Sequence, residues 1–347
     1  MSGYYSHRLY CFDNIKFILI FLVVLGHLLE ISPNWNGWNA KLYRLIYAFH
    51  MPAFIFITGL FATFKKEKIV FHFIYNYLFF QILYQIFQSC ILDGQSFTST
   101  TIQFTTPYWI LWYLLVTLFY YLFIPLIDTR NTSVRIMVTI CSFLLSLLWG
   151  YDSSLGYYLS LGRFFTFLPF FVSGFYAKET LPSFIASKNK LLRLIIICIT
   201  ILTTVYILNY CTYPGYYFYG SYSFSSLNYD IFTKLSLQLL GIIGIMFLLF
   251  VASPLLNTKI PVITTLGQNS LPIFLLHGFF IKAMAKTGFL SARSPFFVFL
   301  LALLIIFVLG NTLSNKIFYR LCSGWWIKSL FNKSIRTPID ANNASQK

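Results

Sequence analysis

Apolar blocks of about 18 to 22 residues recur along the whole of this 347-residue chain, and that is the length of helix that crosses the hydrocarbon core of a bilayer. At that depth a chain must satisfy its own backbone hydrogen bonds, which a helix does within one segment. Composition agrees: 58% of residues are hydrophobic and 10% charged, where a water-soluble domain carries about a quarter charged. The expected fold is therefore all-α, a polytopic membrane bundle of about ten helices. The spans read as 12–31, 44–64, 69–91, 108–127, 134–150, 160–177, 191–210, 232–252, 269–286 and 296–317. Polar joints rich in Pro, Gly and Asn, such as "SPNWNGWN" and "SPLLNTKIP", separate them. A single transmembrane domain is expected over 1–330, followed by a polar tail, 331–347, whose composition predicts mobility. The first block is too long for a secretory signal core and runs into "LLEISPNW" without a small-residue cleavage site, so it is expected to stay.

The net charge of +16 raises the question of nucleic acid, but the basic residues form no single patch. They sit singly or in small groups at the ends of apolar blocks, where they anchor and orient helices against lipid. Membrane lipids are the expected partner; nucleic acid is not. Placing the N-terminus in the cytoplasm puts 18 of the 25 Lys and Arg residues on the cytoplasmic side and leaves 92–107, 151–160 and 211–231 free of them. Both termini are therefore expected in the cytoplasm of a cell-membrane protein, with the cluster 282–293 as the exception. Six cysteines, at 11, 90, 141, 198, 211 and 322, show no CxxC pair and no metal-ligand spacing, so no metal is expected.

"NIKFILIFLVVLGHLLE" in the first block carries a lysine, a histidine and a glutamate where charge is costly. Asp13, Lys16, His27 and Glu30 are spaced 3, 11 and 3 apart. On a helix, eleven residues bring Lys16 and His27 to within roughly 20° of each other and roughly 16 Å apart, so all four share one face, which should look into the bundle. Lys16 paired with Asp13 at the interface is one reading; a working polar face is the other. His27 has no interface nearby, a ring suited to proton transfer, and Gly26 beside it to admit a close neighbour. Glu30, one turn on, is placed to orient it.

A basic residue, ten intervening residues and a histidine on the first span resembles the signature of the acyltransferase-3 family of membrane acyltransferases. "YCFDNIKFILIFLVVLGH", "YAFHMPAFIFITGLF", "WILWYLLVTLFYYLFIPL", "LGRFFTFLPFFVSGFY" and "LGQNSLPIFLLHGFF" are similar, in order, to its fucose 4-O-acetylase-like branch, over most of residues 8 to 320. The resemblance implies transfer of an acetyl group from acetyl-CoA to a sugar hydroxyl of a surface polysaccharide or its lipid-linked precursor. It implies that His27 is the essential histidine, Lys16 its basic partner, Asp13 the acidic position before it and His50 the histidine of the "FHMP" block. The family's Arg-x-Arg pair after the second span reads "FKKEK" here, so Lys66 and Lys68 are at best lysine substitutes, without arginine's fork. Some relatives append an extracytoplasmic esterase-like domain; here transfer is expected to be completed within the membrane domain or by another protein.

Acetyl-CoA would then bind transiently, no cofactor being held permanently. Its phosphates would meet Lys16, Lys65, Lys66 and Lys68, with Asp13 beside them, and its thin arm would run along the first helix to His27. His27 acts as general base in one route and as acetyl carrier in another. His50 and His277 stand in apolar text and divide between core packing and the site. Asn269, with Ser270, either caps a helix or contacts substrate. Arg163 either anchors an interface or binds an acidic sugar or lipid pyrophosphate. Seven tyrosines between 210 and 229 suit an interfacial aromatic belt somewhat better than a sugar platform. Trp109, Trp112, Trp325 and Trp326 fit the same belt, with Trp112 also kept as a substrate contact. A lipid-linked glycan flippase or transporter is the rival class, and a glycan polymerase a third; paired halves with broken helices, usual in transporters, are not found. Self-association is left open.

Overall fold

The computed structural model describes residues 10–32, 37–180, 189–291, 293–322 and 324. The tail 331–347, Trp325, Trp326 and the basic residues Arg8, Lys188, Lys328, Lys333, Arg336 and Lys347 lie outside them. Among the described residues the chain is helical, without strands. Eight helices are long and apolar enough to cross a membrane: α1 Tyr10–Glu30, α2 Trp38–Leu60, α3 Lys66–Leu92, α4 Trp109–Ile127, α5 Thr132–Tyr151, α6 Tyr158–Tyr176, α7 Lys190–Asn209 and α8 Ile231–Leu255. Four more follow: α9 Pro261–Gln268, α10 Ser270–Thr287, α11 Pro295–Gly310 and α12 Thr312–Cys322.

Two of the ten expected spans differ from that reading. The block 269–286 does form a helix, α10, but His277, Lys282 and Lys286 leave it short of a membrane span by composition alone. The block 296–317 breaks at Asn311: α11 and the start of α12 meet at 58°, one bent span at most. The Asn311 side chain caps the new helix through Ser314 N at 2.9 Å, and Asn269 Nδ2 takes up the freed Gly310 carbonyl at 2.7 Å. The joint after α8, expected as a loop, contains the short helix α9. Asn14 of α1 stitches that segment down, donating to the carbonyls of Leu256 (2.7 Å) and Thr258 (2.9 Å) and accepting from Thr264 Oγ1 (2.7 Å).

α1 runs through the core, with Ile15, Leu19, Ile20, Val24 and Leu28 buried, and packs on α2, α9, α10 and α11. α5 and α7 stand outside, presenting Ile136, Met137, Ile140, Leu191, Leu194 and Leu202 outward as lipid-facing helices do. The most extensive pair is α2 with α6. It is reciprocal: a Cβ on Gly59 would strike the Phe171 carbonyl, and one on Gly174 would strike the Phe56 carbonyl. Small residues at such crossings let backbones touch where lipid gives no hydrophobic drive to association.

Candidate active site

The polar face of α1 has two ends with different chemistry. At its C-terminal end, His27 Nδ1 lies 3.0 Å from Glu30 Oε2 and 3.2 Å from the Tyr47 hydroxyl. A carboxylate only accepts, so the proton of the imidazole sits on Nδ1 and points at Glu30. That leaves Nε2 as the basic nitrogen, and no hydrogen bond engages it among the described residues. Glu30 is fixed from its other oxygen by the Tyr219 hydroxyl at 2.8 Å, which itself receives the Tyr43 hydroxyl at 2.9 Å. Burial first, and the Glu30 carboxylate second, raise the Tyr219 phenol above its ordinary value, so it stays a donor.

The sequence puts these groups together through two contacts. Gly26 has no side chain, and a Cβ there would come within 2.9 Å of the Tyr47 ring. The neighbour that this glycine admits is an aromatic ring, whose hydroxyl then reaches the adjacent His27. Tyr219 ends a short helical turn, Gly215–Tyr219, that folds back from the tyrosine-rich segment over the end of α1. His27, Glu30, Tyr47, His50, Trp109, Trp112, Arg163 and Tyr219 all line one cavity of about 290 Å³.

Rings close around His27. Trp109 lies 4.5 Å away, centroid to centroid, and its backbone is left-handed at φ 38°, a conformation costly for a bulky residue and held only where surroundings fix it. His277 stacks at 5.7 Å with 25° between planes. It is fully buried, its Nδ1 donates to the Ile273 carbonyl at 2.9 Å, and its Nε2 has no hydrogen-bond partner among the described residues. His50 is buried likewise, bonded from Nδ1 to the Ile46 carbonyl at 2.8 Å and set edge-on to Tyr47 at 4.7 Å.

At the other end of α1, Lys16 Nζ is 3.4 Å from Asp13 Oδ1, and Gln268 Nε2 donates to Asp13 Oδ2 at 3.1 Å. Lys68 Nζ donates to the Tyr121 hydroxyl at 2.7 Å. Lys65, Lys66 and Lys68 line a cavity of about 900 Å³ with His72, Gln268 and Asn269. A slot of about 280 Å³ adjoins it, sharing Lys68, His72, Gln268 and Leu271 and running on past Lys16 and Thr58 to Tyr113 and Phe274. Phe274 lies 6.3 Å from the His277 ring and Tyr113 6.2 Å from Trp112 of the His27 chamber, so a layer of aromatic rings stands between slot and chamber, which share no lining residue.

The predicted residues therefore fall into two groups. His27, Glu30, His50, Trp112, Arg163 and, behind them, His277 gather at the chamber; Asp13, Lys16, Lys65, Lys66, Lys68 and Asn269 gather at the basic end. Asn269 does not join the chamber, and its amide neither caps α10 nor is free, since it holds Gly310. The expected aromatic belt does not hold for Trp109, Trp112 and Tyr219, which turn inward to line the chamber, while Tyr210 and Tyr216 stay exposed. Tyr47 and Tyr219 are not singled out by the sequence, and Trp109 is read there only as a belt residue. Tyr47 had a signal, standing three residues before His50 and so on the same helix face. Tyr219, one of seven tyrosines in its segment, had none.

The helix bundle thus sets a half-buried histidine–carboxylate pair beside a chamber, with lysines at the far end of the same helix. Residues 9–314 match the acyltransferase domain family, and the chain belongs to that acyltransferase-3 family: it is a membrane acyltransferase. It is also similar to nodulation protein NolL of Sinorhizobium fredii (strain NBRC 101917 / NGR234), 44% identical over 61 residues. That stretch spans 17% of this chain and 17% of NolL. No solved structure matches.

Proposed function

We propose that this enzyme is a plasma-membrane O-acetyltransferase that moves acetyl from acetyl-CoA to a sugar hydroxyl of a surface polysaccharide or its lipid-linked precursor, as the fucose 4-O-acetylase-like branch does. The observation that carries the reading is the His27–Glu30 pair in a chamber at one end of α1, with a lysine-lined cavity at the other end of the same helix. With both termini cytoplasmic, the lysines face the compartment that holds acetyl-CoA. The cluster at 282–293 then lies outside, where Lys282 leans over Trp109 at 4.7 Å and Lys286 pairs with Asp93 at 3.8 Å.

In this reading Lys65, Lys66 and Lys68, with Lys16 held by Asp13, receive the phosphates of CoA as point charges. The pantetheine arm follows the slot past Thr58 and Tyr113, covering the roughly 16 Å between Lys16 and His27. His27 Nε2 takes the proton of the acceptor hydroxyl as its oxygen attacks the thioester carbonyl. The C–S bond breaks, the CoA thiolate leaves, and the imidazolium returns its proton to that sulfur. Glu30 holds the ring and stabilises the imidazolium in between.

Purified enzyme in proteoliposomes, given acetyl-CoA and lipid-linked glycan extracted from host membranes, tests this through release of the CoA thiol. Thiol release by wild type and none above background with His27→Ala is the expected result. Glycan crossing the bilayer without thiol release would overturn the reading in favour of a flippase.

A further inference from the structure

Arg163 is the unspent charge of the chamber. It is half-buried, its Nε donates to the Tyr219 carbonyl at 3.1 Å, and its guanidinium lies over the rings of Trp112 at 4.9 Å and Tyr157 at 5.2 Å. Among the described residues its two terminal nitrogens make no hydrogen bond and no carboxylate pairs with it. Glu30 is the one acid in the lining, and both its oxygens are taken, by His27 and by Tyr219. A cation inside a membrane bundle normally has a counter-charge, because leaving it without one costs several kcal/mol. The rings and the Tyr219 carbonyl fix the guanidinium so that its free edge is a fork, the shape that takes two oxygens of one phosphate or carboxylate.

The donor's phosphates are placed by the lysines at the opposite end of α1, so the anion for Arg163 belongs to the acceptor. We propose that Arg163 is the recognition site for an anionic group, phosphate or carboxylate, on the acceptor close to the hydroxyl that is acylated. The inference rests on the acyl-transfer reading for the word acceptor, but its test measures binding alone. The two sources share one chemistry: a carboxylate would mark an acidic sugar, a phosphate a sugar still carried on a phosphate-linked lipid.

Because His27 and Arg163 line the same cavity, a ligand on Arg163 shields His27 from diethyl pyrocarbonate. The probes are methyl α-D-glucuronoside, α-D-glucose 1-phosphate and neutral methyl α-D-glucoside, each titrated against His27 modification in the full-length protein in nanodiscs. One anionic probe is expected to protect at a concentration at least about tenfold below the neutral probe, the worth of one charge-assisted hydrogen bond. Whichever anion protects better identifies the source. Arg163→Gln should bring all three probes to within about twofold, and Arg163→Lys, which keeps charge without the fork, should fall between. Equal protection by all three probes in wild type overturns the proposal, whether or not the variants fold. So does a preference that survives unchanged in Arg163→Gln. Neither result bears on thiol release from acetyl-CoA, so the enzyme assignment stands or falls separately.

Discussion

Each nitrogen of His27 has its own task in the proposed reaction: Nδ1 is engaged by Glu30, and Nε2 has no hydrogen bond among the described residues. Glu30→Gln keeps the shape but loses the charge that steadies an imidazolium. Its kcat should fall by about 100-fold, the lower end of general acid–base contributions, with KM for acetyl-CoA unchanged. Steady-state kinetics in nanodiscs checks this; an equal fall in His27→Ala and in an unrelated core variant would assign the loss to folding. Tyr219→Phe removes one hydrogen bond to Glu30 and should cost about tenfold in kcat. Its pH dependence follows from the raised phenol: the protonated donor is present throughout the range below the ordinary tyrosine value of about 10, and is lost only as pH rises through the higher folded value. The ratio of wild-type to Tyr219→Phe activity should therefore stay constant from pH 6 to pH 9, roughly the range over which an unshifted phenol keeps its proton.

At the scale of helices, the α2–α6 crossing sets the chamber wall, because α2 carries Tyr47 and His50 while α6 carries Arg163. A methyl group at Gly59 or Gly174 meets backbone, which has no rotamer to yield. Gly174→Ala should destabilise by about 1–3 kcal/mol, seen as a lower unfolding midpoint in detergent, whereas lipid-facing Leu126→Ala should leave the midpoint unchanged. What could be read from sequence follows the same division. α1 was legible because charges at spacings of 3, 11 and 3 in apolar text admit one helix face, and a membrane leaves no alternative to helix. α9 was not, since "PVITTLGQ" is too short and too polar to stand out; it is held against Asp13 and Asn14 of α1. The inward turn of Tyr219 is tertiary: local pattern does not distinguish a tyrosine that reaches Glu30 from one that faces lipid headgroups.

Across the whole molecule, one helix links two environments that are kept apart, a cationic cavity at one end and a ring-lined histidine chamber at the other. Replacing Lys65, Lys66 and Lys68 together by Gln should raise KM for acetyl-CoA by about 10-fold to 100-fold and change kcat little, because phosphate contacts hold the donor equally in ground and transition states. An equal loss in kcat would place those lysines in the reaction itself. The most direct test of the central claim is the O-acetyl content of surface glycan in a strain lacking this protein, complemented with wild type, His27→Ala or Glu30→Gln at matched membrane levels. Acetyl should be restored by wild type, absent with His27→Ala and strongly reduced with Glu30→Gln. Full acetylation with His27→Ala would contradict it, and the base would have to be sought elsewhere in the bundle.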